Sequence, residues 1–323
     1  MPNGELGKMT PDITVIHCAP DLANGKTPPP VGEKTPVEPC CLAAVKGVMA
    51  AFRRHPETGS VFGQLSARRM LVVFCAELLG TALLMFVGCM GGVYGLDGTS
   101  EKPSGLQGPL VFGMTVATVI QIVGHISVAH LNPSVTLCAV LRGDLNVAAA
   151  LVYLVAEGVG AVLGFGLLLV ATPASVVCEC TTVPAAPLTP LQALLVEAVA
   201  TAVLVLLCMG LWDGRNSRNT DSSPLKFGFY ITIISLAAGP YTGASMNPVR
   251  TLAPALWKNV WTDHWIYWVG PLSGAAVATL LYQLVFEERP SEVTSKSSDN
   301  SVGCCAGGST DADDSVVTES HRF

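Results

Sequence analysis

Apolar residues fall in six long runs, roughly 71–93, 106–124, 147–171, 190–212, 224–240 and 263–286, with short polar connections between them. Most are near the ~20 residues a helix needs to cross a ~30 Å hydrocarbon layer. Gly158, Gly160, Gly164 and Gly166 in the third run, and Gly270 and Gly274 in the sixth, are the small residues expected where helices approach closely in lipid. The pattern predicts an all-α membrane protein with six transmembrane helices.

Two tracts interrupt it: Gly124-His125-Ile126-Ser127-Val128-Ala129-His130-Leu131-Asn132-Pro133-Ser134 and Tyr241-Thr242-Gly243-Ala244-Ser245-Met246-Asn247-Pro248-Val249-Arg250. Asn is a favoured N-cap and Pro a favoured first helical residue, so each Asn-Pro predicts a helix start. The first helix runs from Asn132 to the stop at Arg142-Gly143 and the second from Asn247 to Trp257. Each is ~15 Å long, half of the hydrocarbon layer. Irregular backbone at that depth is tolerated only where protein buries it or water reaches it. The two are read as re-entrant half-helices that meet at the midplane from opposite sides.

The same spacing discloses a repeat. Glu77, early in the first run, precedes Asn132 by 55 residues (132 − 77), and Glu197, early in the fourth, precedes Asn247 by 50 (247 − 197). Three spans per half put the halves in opposite senses, an inverted repeat. A Glu inside a span is costly without a partner. Glu77 and Glu197 are therefore read as acceptors for the irregular backbone of the re-entrant loops.

Half of the residues are hydrophobic, 13% are charged and the net charge is −6, so neither a soluble domain nor a nucleic-acid partner is expected. Residues 1–68 and 287–323 lack core-forming patterns and are read as disordered tails, with a short amphipathic stretch at 41–53, flanking a membrane domain over 69–286. Arg53, Arg54, Arg68 and Arg69 precede the first span and Arg215, Arg218 and Lys226 lie between the fourth and fifth, whereas the loop between the third and fourth has no Lys or Arg. The positive-inside rule then puts both tails in the cytoplasm, so the Asn132 loop enters from inside and the Asn247 loop from outside. Cys75, Cys89, Cys138 and Cys208 lie in apolar runs and are read as small packing residues. Cys178 and Cys180 share one loop, and the Cys40-Cys41 and Cys304-Cys305 pairs are read as solvated thiols. No metal or cofactor is expected.

The Glu in the first span, His-Ile-Ser-x-x-His-x-Asn-Pro, Thr-Gly-x-x-Met-Asn-Pro-x-Arg and His264-Trp265-Ile266-Tyr267-Trp268-Val269-Gly270-Pro271 closely resemble the aquaporin (major intrinsic protein) family over about residues 70–286. The resemblance implies an hourglass of six helices and two half-helices, one pore per protomer, a homotetramer and a multi-pass protein of the plasma membrane. It implies Asn132 and Asn247 at the pore midplane, with a selectivity constriction at Phe112, Ser235, Ala244 and Arg250. His130 is expected to line the inner half of the pore, and His125 to pack between helices. The chain departs from the usual Asn-Pro-Ala at Ser134 and Val249, which touches packing at the midplane.

Water-selective members of the family have His where this chain has Ser235, so the constriction is expected to be wider. Arg250 is followed by Thr251 rather than the Asp of the usual glycerol facilitators, and Tyr267-Trp268 are of the water-channel type. The sequence thus resembles a glycerol-permeable member of the water-channel-like branch, as in insects. The expected function is passive passage of water, glycerol, urea and other small neutral solutes without ions or protons. A water-selective channel is the first alternative and a secondary transporter the second. An enzyme is not expected, as no catalytic constellation stands out.

Overall fold

A computed structural model describes residues 66–99, 101–102 and 104–287. Except for residues 66–68 and 287, the two tails, the stretch at 41–53 and the Cys40-Cys41 and Cys304-Cys305 pairs lie outside those residues.

Helix ends follow capping chemistry more closely than hydropathy. Helix α1 (Ala67–Met90) begins ahead of its apolar run because the Ser66 hydroxyl accepts from the Arg69 N–H at 3.3 Å. Helix α2 (Gln107–Ser127) extends three residues past the expected 124 and stops at Val128, whose φ is 71°. Half-helix α3 (Pro133–Arg142) is capped by Asn132 and ended by Gly143 in the left-handed conformation, φ 88°. Helix α4 (Val147–Ala171) starts where the Asn146 side chain accepts from Ala149 N–H at 2.8 Å. Helix α5 (Pro190–Trp212) starts at a Thr189–Gln192 capping box with Pro190 in the first turn.

Helix α6 (Ser223–Thr242), half-helix α7 (Pro248–Lys258) and helix α8 (Ile266–Val285) complete the set. Between them lie only short irregular pieces, including strand β1 (Val93–Tyr94) paired antiparallel with β2 (Val177–Cys178), Val93 opposite Cys178. Among the described residues five helices are long and apolar enough to cross a membrane: α1, α2, α4, α5 and α8. Helix α6 has the length, at 20 residues, but Lys226, Tyr230, Pro240 and Tyr241 dilute its apolar content.

The packing repeats itself. Helix α1 lies along α4 and α5 along α8, while α2 crosses α6. Half-helix α7 packs on α4, and half-helix α3 on α8, so each half-helix docks on the last helix of the other repeat. Close approach is made by glycine at matching places. A Cβ at Gly160 would sit 2.5 Å from the Leu78 carbonyl oxygen, and one at Gly274 would sit 2.1 Å from that of Ala198. Leu78 and Ala198 directly follow Glu77 and Glu197, two of the three fully buried Glu residues among the described residues. At the α2–α6 crossing a Cβ on Gly113 would lie 2.5 Å from the Gly228 carbonyl, and one on Gly228 would lie 2.9 Å from the Gly113 carbonyl. The repeats therefore meet at a mutual glycine contact, as small-residue packing in lipid permits.

These distances separate structural glycines from incidental ones. Gly160→Ala and Gly274→Ala drive a methyl into backbone and should each destabilise the fold by about 1–3 kcal/mol, the usual cost of overpacking. Gly158 has nothing within 4 Å of its Cβ position, so Gly158→Ala should be neutral or mildly stabilising. Folded protein remaining after graded heating in detergent, read by size-exclusion chromatography, checks the ranking; equal loss in all three would contradict it.

Candidate functional site

The residues before each half-helix adopt a backbone that ordinary side chains rarely take. Ala129 and Leu131 have φ of 53° and 55°, and Ala244 and Met246 have φ of 49° and 53°. These positions are equivalent, three and one residues before each Asn. The alternation turns successive N–H groups to one side of the chain, where a buried carboxylate waits. Glu77 accepts from His130 N–H at 3.1 Å and Leu131 N–H at 2.8 Å. Glu197 accepts from Ser245 N–H at 3.0 Å, Met246 N–H at 2.8 Å and the Thr242 hydroxyl at 2.6 Å. Both acids are 0% exposed, and these donors offset the cost of burying them.

Further hydrogen bonds fix both loops. Five residues before each Asn (132 − 127 and 247 − 242) a tyrosine donates to a carbonyl: Tyr153 to Ser127 and Tyr267 to Thr242, each at 2.7 Å. Four residues after each Asn a threonine hydroxyl is held. Thr136 donates to Glu157 at 2.7 Å, while Thr251 shares hydrogen bonds with Thr182 at 2.7 Å and Ser245 at 2.5 Å.

Asn132 and Asn247 then meet. The Asn132 carbonyl oxygen accepts from Ser134 N–H at 2.8 Å, and that of Asn247 from Val249 and Arg250 N–H at 3.1 and 3.4 Å. For Asn132 the capped donor is thus Ser134 alone, whereas Asn247 caps two. The amide nitrogens are engaged as well. Asn132 Nδ2 donates to the Met246 carbonyl at 2.9 Å and Asn247 Nδ2 to the Leu131 carbonyl at 2.8 Å. One N–H per Asn is used to tie the two tracts together, and one remains for whatever stands beside it.

Asn132, Asn247, His130, Phe112, Ser235, Ala244 and Arg250 all line one narrow cavity with about 80 Å³ of room for water. At one end Arg250 lies over the Phe112 ring, 5.2 Å from its centroid, and donates from Nη1 to the Cys180 carbonyl at 2.5 Å. Toward the other, the His130 ring stacks 4.5 Å from Tyr153 and 5.9 Å from Trp212, with Nδ1 3.0 Å from the Thr136 hydroxyl. That hydroxyl also lies 2.7 Å from Glu157, so Thr136 links the His130 ring to the buried acid.

Three expectations are corrected. His125 is exposed on this chain rather than packed between helices; as the basic residue of the last turn of α2 it faces the favourable end of the helix dipole. Cys75 likewise is exposed. Cys89 is no simple packing residue, since it is disulfide-bonded to Cys180, the pairing made possible because the 177–182 segment folds back over the end of α1. Cys138 and Cys208 are buried and free, as is Cys178. The support given by Glu157, Thr136, Thr182 and Thr251 was not foreseen either, although Thr four residues after both Asn was a visible regularity.

The 177–182 segment is well anchored. Glu179 N–H donates to the Gly92 carbonyl at 2.8 Å, and Lys258 Nζ donates to the Cys178 carbonyl. Glu179 also pairs with Lys102 at 2.8 Å and accepts from the Tyr94 hydroxyl at 3.0 Å. The hydrogen bond from Lys102 is the main reason its carboxyl is held below the ordinary range.

Comparison with known proteins agrees with this geometry. The family model "Major intrinsic protein" matches residues 64–282. Aquaporin-4 of Mus musculus is 40% identical over 216 residues, 65% of this chain and 66% of its own. The lens fiber major intrinsic protein of Gallus gallus is 38% identical over 211 residues, 65% of this chain and 79% of its own. Among solved structures, the aquaglyceroporin from Plasmodium falciparum superposes with a TM-score of 0.57 at 21% identity, covering 67% of this chain and 96% of that one, a likeness of fold. The chain spans about two thirds of the length of the mouse relative it matches. With paired half-helices, an inverted repeat and a family match over most of its length, this chain belongs to the major intrinsic protein (aquaporin) family.

Proposed function

We propose that this protein is a passive pore for water and small neutral solutes, glycerol and urea among them, closed to protons and other ions. One observation carries the reading: the reciprocal bonds from Asn132 to the Met246 carbonyl and from Asn247 to the Leu131 carbonyl, made inside the lined cavity. They hold two helix N-termini face to face, and each terminus bears roughly half a positive charge. Cations meet a barrier there. A water between the Asn residues accepts from their remaining N–H groups, so its oxygen is unavailable to relay a proton.

Phe112, Ser235, Ala244 and Arg250 form the selectivity constriction in this reading, and His130 lines the inner half. Arg250 supplies a fixed positive charge and donors for solute oxygens. Ser235 leaves room for a three-carbon polyol whose carbons pass along Phe112. The hydrogen-bonded state of Glu77, Glu157 and Glu197 favours a fixed scaffold over the ion-coupling sites of a transporter. The pore acts as a homotetramer in the plasma membrane with both termini cytoplasmic and the Arg250 end outside. The Arg and Lys distribution and the family resemblance support that arrangement.

Two variants test it in proteoliposomes of the full chain. Arg250→Val should keep or raise neutral-solute flux and admit a measurable proton or cation leak, read with an internal pH dye; a fully ion-tight variant would show that the dipoles and Asn residues suffice. Ser235→His adds bulk to a space one solute wide. Because packed walls deform little, an ångström of overlap should cut glycerol and urea flux by about tenfold or more. Water flux should stay within about twofold, water being small enough to bond to either group. A wild type that passes no glycerol would make the protein water-selective and Ser235 irrelevant to selectivity.

A further inference from the structure

The disulfide between Cys89 and Cys180 joins residues 91 apart in sequence, and its surroundings belong to the Arg250 end of the cavity. Cys180 presents its carbonyl to Arg250 Nη1 at 2.5 Å. On the other side of the bond, Cys89 follows Gly88, and a Cβ at Gly88 would stand 2.8 Å from the Phe112 ring. Arg250 in turn lies over that ring. The contacts close a circuit: Cys89, Gly88, Phe112, Arg250, Cys180 and back through the two sulfurs. Both cysteines are buried, at 1% and 5% exposure. The remaining anchors of the segment, Glu179 to Gly92, Lys258 to Cys178 and Thr182 to Thr251, hold its flanks. The disulfide alone fixes Cys180 itself covalently to the helix that backs Phe112.

We propose that Cys89 and Cys180 are positioning residues for selectivity: their disulfide sets the distance between the Arg250 and Phe112 walls by holding the Cys180 carbonyl in place. The inference rests on reading those walls as the selectivity constriction. Arg250 has five donors and no acceptor, so its direction depends on where acceptors are fixed. With the sulfurs separated, the carbonyl shifts with its segment, Arg250 follows, and the passage tolerates bulkier neutral solutes. Opening the bond by a dithiol is balanced: two electrons and two protons pass to the cysteines, which become thiols, while the dithiol closes to a cyclic disulfide.

The test uses the full chain in proteoliposomes, measuring water, glycerol and erythritol fluxes on the same vesicles. Treatment with dithiothreitol, with thiols counted by alkylation and mass spectrometry, should raise the erythritol-to-water flux ratio about threefold, the scale expected for one displaced hydrogen bond. Oxidised glutathione should reverse it. Cys89→Ser with Cys180→Ser should show the raised ratio without reductant and no further response to it, so the test stands if the buried bond resists the dithiol. Cys178→Ser should retain the wild-type ratio. Unchanged ratios in the reduced protein, or in the folded double variant, overturn the proposal. So does a proportional fall of all fluxes, which marks a merely structural bond. Ser235→His in parallel separates the two readings. If it alters glycerol against water while the cysteines do not, the constriction stands and the disulfide inference falls; if neither alters a ratio, the constriction reading falls as well.

Discussion

A stretch of backbone that leaves its N–H groups unpaired at mid-membrane is costly, and so is an ionisable side chain buried in an apolar helix. Glu77 and Glu197 remove both costs together, each accepting two successive N–H groups from the tract ahead of a half-helix. Most other features of the centre follow. Positive φ at Ala129, Leu131, Ala244 and Met246 is what aims those N–H groups at the acids, and glycine beside the residue after each acid lets the neighbouring helix close over it. With the N–H groups turned to one side, the Leu131 and Met246 carbonyls are left to receive the opposite Asn.

Sequence made the local parts of this legible. The Pro133–Arg142 half-helix has the expected bounds, and α4 and α5 match the expected 147–171 and 190–212, because Asn, Thr, Pro and Gly act on the backbone within a few residues. The ends of α1 and α2 differ by several residues, since the edge of an apolar run is not a cap. Gathering Phe112, Ser235, Ala244 and Arg250 around one cavity required the family resemblance, as no local pattern relates four positions on α2, α6 and the Asn247 loop. Hidden from both were partnerships spanning the chain. Asn132 finds Met246 at a separation of 114 residues, and a Cys in an apolar run looks like any small hydrophobe until its partner is in place.

The scaffold is symmetric and its chemistry is not. Three residues after each Asn the chain has Val135 in one repeat and Arg250 in the other; two residues before each Asn it has His130 in one and Ser245 in the other. Matching backbone thus presents an imidazole toward one end of the cavity and a guanidinium toward the other. Duplicated geometry supplies the passage, and the differences between the copies supply whatever discrimination it has.

The exchange of half-helices has a consequence for how such a chain must come together. Half-helix α3 docks mainly on α8, and α7 on α4, so each re-entrant piece takes its principal seat from the other repeat and only a smaller contact from its own. In synthesis order, α3 is complete 124 residues before α8 begins (266 − 142). Until then one face of the first half-helix lacks the protein surface it finally occupies. A single repeat is therefore not a smaller version of the whole. It is an open clasp, and only a second copy inserted in the opposite sense, on the same chain or another, can fasten it.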